Sequence, residues 1–126
     1  MVEDRATDGE RIAQLLASEL TGRFDGPLGR FSVVDADRDA SPTPEGTLAY
    51  RVAVDEKRVA DVHIYPEGAS ILLEESTGPL DVDAVVDTTS GPGLSVESTD
   101  DGTLVRIEFG AAVKRTVDAL VAGADT

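Results

Sequence analysis

The chain has 126 residues and carries 25 Asp plus Glu against 11 Lys plus Arg, a formal net charge of −14, with no cysteine. That length fits one unit with one core, read here as a single domain over residues 1–126 with its core at about 7–122 and short flexible ends. The missing cysteine excludes disulfides, thiolate metal centres and thiol catalysis, and no apolar run reaches the roughly 20 residues of a membrane span.

The opening stretch, MVEDRATDGER, is acidic and has no apolar region behind it. It is not a secretory signal, so a cytoplasmic protein is expected. Thr7 and Glu10 have the spacing of a capping box. Ile12, Leu15, Leu16 and Leu20 follow on one helical face, with Arg11, Gln14 and Ser18 off it, and Gly22 is placed to terminate. The spacing predicts an amphipathic helix over 7–21.

Asp25-Gly26-Pro27 breaks the chain. Phe31, Val33 and Val34 predict a short strand over about 29–35. The polar stretch from Asp35 to Gly46, with two prolines, is a loop. A meander comes next. Leu48, Tyr50, Val52 and Val54 alternate with Ala49, Arg51 and Ala53; after a turn at Asp55-Glu56-Lys57, Ala60, Val62 and Ile64 alternate with Asp61, His63 and Tyr65. This is the period of half-buried strands. Tyr65-Pro66-Glu67-Gly68 is a β-turn, and residues 69–74 make the next strand.

Residues 75–93 are the least legible. Asp81 to Asp87 fits a helical turn or a short edge strand, and Thr88 to Gly93 a loop. Leu94 and Val96 lead to a hairpin signal at Asp100-Asp101-Gly102. Val105, Ile107 and Phe109 then alternate with Leu104, Arg106 and Glu108. Gly110 opens a last helix with Val113, Val117, Leu120 and Val121 on one face, and Gly123 closes it. The order predicts an α+β two-layer sandwich: a mostly antiparallel sheet of five or six strands, with N- and C-terminal amphipathic helices on one face.

Four constellations have residue types that could carry chemistry. Asp35, Asp37 and Asp39 open like a calcium loop, but Ala40 stands at the sixth position and Gly46 at the twelfth, where Gly and a bidentate Glu are required. His63, the single histidine, shares a strand face with Asp61 and Tyr65, and Arg51 on the neighbouring strand completes a polar cluster. No nucleophile is tied to it by a motif, so Arg51, Asp61, His63 and Tyr65 are candidate binding residues with no catalytic residue among them. Gly110-Ala-Ala-Val-Lys-Arg115 places a helix start after a strand, a position that favours anions. It lacks any nucleotide-loop glycine pattern; close helix–sheet packing at Ala111 and Ala112, and pairing of Lys114 and Arg115 with Asp118, explain it better. Thr88-Thr89-Ser90 lacks a nucleophile-elbow context.

The segments TDGERIAQLLASELTG (Thr7 to Gly22) and FGAAVKRTVDALVAG (Phe109 to Gly123), joined by acidic strands in a chain with nine Arg and only Lys57 and Lys114 as lysines, resemble the small uncharacterised domain-of-unknown-function proteins of haloarchaea. The resemblance implies a molar-salt cytoplasm and an acidic surface, and carries no activity or functional residue. Molar salt shortens the Debye length to about 3 Å and screens the self-repulsion.

The function expected from these observations is a non-enzymatic binding or interaction domain with no cofactor and no metal. Its partner is another protein or a second copy. A membrane is not expected as a partner. Nucleic acid is disfavoured because Arg51, Arg58, Arg106 and Lys114 would have to cluster against the overall charge. The alternative is an enzyme or small-ligand carrier with a pocket between sheet and helices.

Overall fold

The computed structural model describes residues 9–21, 31–37, 39–74, 80–89 and 91–124. Three helices, α1 (Gly9–Thr21), α2 (Val82–Thr88) and α3 (Val113–Ala124), accompany six strands: β1 (Phe31–Val34), β2 (Thr47–Val54), β3 (Lys57–Tyr65), β4 (Gly68–Leu73), β5 (Leu94–Thr99) and β6 (Gly102–Ile107). The strands form one open antiparallel sheet in the order β1-β2-β3-β4-β6-β5. The fold is α+β, as the periodicities predict. Thr7 and Gly22, read as the ends of the first helix, lie outside the described residues.

One face of the sheet is built from alternate apolar residues and lies under the helices. Val52, Val62, Leu73, Ile12, Leu16 and Leu20 are fully buried there, with Ile64, Ile71, Ile107 and Leu120 at 1% exposure. Burying each such side chain contributes about 1.5–3 kcal/mol. Tyr50 belongs to this layer and donates its hydroxyl to the Ala13 carbonyl of α1 at 2.7 Å. Burial pushes its phenol well above the ordinary tyrosine range, and a main-chain contact at Ala17 offsets part of that rise.

Strict alternation fails at two places in the β2–β3 pair. The ladder shifts register between Leu48 and Tyr50 and between Val52 and Ala53, leaving Ala49 and Val59 without cross-strand partners. Both extra residues are buried. The first bulge turns Leu48 onto the face opposite Tyr50, where it pairs with His63; the sequence reading put Leu48 and Tyr50 on one face. A bulge inserts one residue and inverts the facing of everything beyond it.

The segment from 81 to 87 is helical, not an edge strand. Asp81 caps α2, its carboxylate accepting from the Ala84 amide at 3.3 Å. Gly123 does not end α3, which runs to Ala124. Its lack of a side chain serves packing: a Cβ there would lie 2.4 Å from Val85 Cγ2 and 2.9 Å from the Asp81 carbonyl. The last strand stops at Ile107, and a 3-10 turn over Gly110–Ala112 precedes α3. Ala112 is fully buried in it. Arg115 donates to the Pro92 carbonyl at 2.6 Å, in place of the predicted pairing with Asp118.

Candidate functional site

The face of the sheet turned away from the helices carries the predicted polar cluster. Pairing fixes its membership, because directly opposed residues point to the same side. One row runs Val34, Arg51, Asp61, Leu72, Leu104, Glu97 across all six strands; the next runs Leu48, His63, Ser70, Arg106, Ser95. Tyr65 stands two residues beyond His63 on β3. All four sequence-predicted residues, Arg51, Asp61, His63 and Tyr65, therefore share this open face, and all are half-buried.

They form two subclusters. In the first, Arg51 bridges two carboxylates: Nε donates to Asp61 Oδ1 at 3.1 Å and Nη1 to Asp35 Oδ2 at 3.2 Å. Asp35 lies in the left-handed region with φ 53°, which Asp tolerates. Its Oδ2 also lies 3.7 Å from Arg58 Nη1. The hydrogen bond that Arg51 donates to Asp35, with the added charge of Asp61, raises the Arg51 pKa further above its ordinary value. Two arginines thus occupy Asp35, the first carboxylate of the would-be calcium loop. Asp37 is used internally, accepting from the Asp39 amide at 2.9 Å. Among the described residues no group of three His, Asp or Glu side chains converges to hold a metal ion.

The second subcluster surrounds Ser70. This serine is fully buried although it faces the open side. Its hydroxyl is 3.4 Å from the Tyr65 hydroxyl, a long contact, and the Arg106 guanidinium lies 5.8 Å from the centre of the Tyr65 ring, a cation–π distance. Gly46, with φ 90°, comes so close beneath that a Cβ would sit 2.7 Å from the ring. Together with Pro44, Pro66 and Glu108, Tyr65 and Arg106 border an open depression of about 490 Å³ at the end of the sheet. A second crevice, about 260 Å³, lies between α1 and the β1–β2 edge and is lined by Ala13, Ala17, Val33, Ala40 and Tyr50 with Glu10 and Gln14.

Ser70, Leu72, Leu104 and Arg106 were not singled out by sequence as members of this cluster. The signal was present for the last two, which alternate with the buried Val105 and Ile107 on β6. Their adjacency to β4 depends on the strand order, which alternation does not encode. His63 and Ser70 are directly opposed, but the serine hydroxyl is sealed beneath its neighbours, so this His–Ser pair presents no accessible nucleophile.

Among the described residues no helix is long and apolar enough to cross a membrane. No curated protein and no solved structure matches the chain. A family model does match, over residues 1–126, and the chain belongs to that family of unknown function, DUF7993.

Proposed function

We propose that the protein is a small non-enzymatic binding domain whose open sheet face docks a protein partner in the molar-salt cytoplasm of a haloarchaeon. Arg51, Asp61, His63 and Tyr65 are its contact residues, completed by Leu72, Leu104 and Arg106. One observation carries this reading. The two central rows of the face hold two arginines (Arg51, Arg106) and two acids (Asp61, Glu97), so with His63 neutral they sum to zero in a chain of net −14. Three leucines, Leu48, Leu72 and Leu104, are only half-buried among them. A locally neutral, partly apolar patch is where an acidic protein meets another with the least repulsion. The buried Ser70 hydroxyl and the carboxylates engaged by Arg51 favour binding over catalysis. The whole chain, 1–126, acts as one unit.

The test compares wild type with Leu104→Asp, both tagged and incubated with haloarchaeal lysate in molar KCl. Wild type retains a stoichiometric protein; the variant, folded to the same melting temperature, does not. A wild type that elutes clean, or equal capture by both, overturns the reading. The salt adaptation is tested separately. Dialysis to about 0.05 M KCl extends the Debye length severalfold beyond its molar-salt value, and the melting temperature should fall. A melting temperature that stays put would remove the halophilic part of the proposal.

A small-ligand carrier is the second reading. It is favoured by the depression beside Tyr65, where Arg106 has no carboxylate in ion-pair range among the described residues. It predicts a ligand-dependent thermal shift in a metabolite screen that Arg106→Ala abolishes. The crevice between α1 and the sheet is smaller than the roughly 300–1,000 Å³ of ordinary ligand pockets.

A further inference from the structure

We infer that the free edge of β5 pairs with the same edge of a second copy, centred on Val96, and joins two sheets into one of twelve strands. This stands independently of any partner on the open face.

The two edges of the sheet are unlike. β1 is four residues long, and Phe31 is buried beneath the helix layer. β5 is six residues, Leu94–Thr99, and from Ser95 onward every residue is exposed. Its ladder with β6 runs without a register shift. It holds no proline and no lysine, and Glu97 is its one charge. Proteins normally blunt a long edge with these devices, because an unblunted edge is a template for another strand. Val96, at 39% exposure, is the exposed large hydrophobic residue of the described chain.

The main chain of this edge is polarised in a known sense. The Glu108 amide donates to the Gly93 carbonyl at 2.8 Å. Antiparallel ladders alternate, so Ser95, Glu97 and Thr99 also direct their amides and carbonyls towards β6. Those of Leu94, Val96 and Ser98 face the free edge. Two identical antiparallel strands related by a two-fold axis must be centred on a residue, since opposed side chains share a face.

Centres on Leu94, Ser98 or Thr99 keep at most one hydrogen-bonded pair within the strand, which leaves three. Centring on Val96 opposes Val96 with its own copy, Leu94 with Ser98, and Ser95 with Glu97. It forms three hydrogen-bonded pairs (94–98, 96–96, 98–94) of two bonds each, six in all. Centring on Glu97 sets two carboxylates against each other in a close non-hydrogen-bonded pair and leaves two hydrogen-bonded pairs (96–98, 98–96), four bonds. Centring on Ser95 also leaves four and places Gly93 against Glu97. Val96 is the centre that makes the most bonds, opposes no like charges and covers the exposed valine. The axis is perpendicular to the sheet, so both open faces lie on the same side of the assembly. Each copy brings a net charge of −14, so association requires molar salt to screen the repulsion.

The chain has no cysteine, so a single introduced thiol reports the register. In the Val96-centred dimer the two Val96 Cα atoms are about 5.5 Å apart, inside the disulfide range. Val96→Cys, Glu97→Cys and Ser98→Cys would each be oxidised in molar KCl and resolved on a non-reducing gel. The expected result is a covalent dimer for Val96→Cys formed at least tenfold faster than for the other two. Sedimentation equilibrium of the cysteine-free protein should show a monomer–dimer equilibrium. Val96→Lys, exposed and therefore harmless to the fold, should weaken it at least tenfold. Equal cross-linking at all three positions, a wild type that stays monomeric at millimolar concentration in molar KCl, or a Val96→Lys protein that dimerises like wild type would each overturn the proposal.

Discussion

Ile71 and Leu72 are consecutive residues of β4, and they meet opposite environments. Ile71 is 1% exposed, paired with Val62 and Val105 beneath the helices. Leu72 is half-buried between Asp61 and Leu104 on the open face. The covered face is held by apolar burial and admits few polar groups; Tyr50 is accepted there because its hydroxyl finds the Ala13 carbonyl. The open face mixes leucines with a bridged arginine, a histidine and a sealed serine. The same backbone alternation produces both surfaces. What differs is that helices cover one, whereas among the described residues no helix covers the other. Stability should therefore reside on the first face and recognition on the second.

The sharpest way to break this distinction is to truncate the two neighbours. Ile71→Ala should cost about 2–5 kcal/mol, the range for emptying a packed site. Leu72→Ala should cost well under half of that, because its site is already open to water. Denaturant titration in molar KCl reads both, and equal losses would abolish the division of labour between the faces.

A smaller effect is expected within the helix layer. Gly123→Ala would drive a methyl group against Val85 and the Asp81 carbonyl, and overpacking of this kind costs about 1–3 kcal/mol. A neutral Gly123→Ala would mean that α2 is free to move off α3.

Tyr50→Phe removes one buried hydrogen bond and should cost about 1 kcal/mol at neutral pH. Its pH signature is more specific. The folded phenol keeps its proton at pH values where an unfolded tyrosine, near pH 10, gives it up. Tyr50 therefore supports the fold fully below about pH 10. Above it the support falls by about 1.4 kcal/mol per pH unit. Wild type should lose its advantage over the phenylalanine variant as the pH rises through that range, and a constant difference would refute the buried assignment.

The smallest effect is expected at the turn between β2 and β3. Asp55 and Glu56 have φ of 52° and 70°, the backbone sign of a type I′ turn, which favours Asn-Gly. Glu56→Gly should raise the melting temperature, with a gain of up to about 1 kcal/mol from relieved backbone strain. A loss instead would place Glu56 in a contact that outweighs the strain.

Much of the architecture was legible in particular residues. Ile12, Leu16 and Leu20 announce a buried helical stripe. Asp61, His63 and Tyr65 announce one strand face by their spacing alone, and Arg51 joins them because a short turn forces β2 and β3 to be neighbours. Leu48 departs from the alternation because a single bulge at Ala49 leaves the hydrophobic pattern intact while inverting the facing. Residues 81–87 are ambiguous in sequence because seven residues hold too few turns for helical and strand periods to separate.

The sequence by itself determined the order of the elements other than α2, the amphipathic stripes and the membership of the four-residue cluster on one sheet face. All are local consequences of side-chain period and turn chemistry. Only the tertiary structure decided that β6 inserts beside β4 and leaves β5 at the edge. Only it decided that Ser70 is sealed between His63, Tyr65 and Arg106, and that Asp35 reaches back to bridge Arg51 and Arg58. These depend on pairings between segments distant along the chain, and the free energy that selects among them lies in contacts no short window contains.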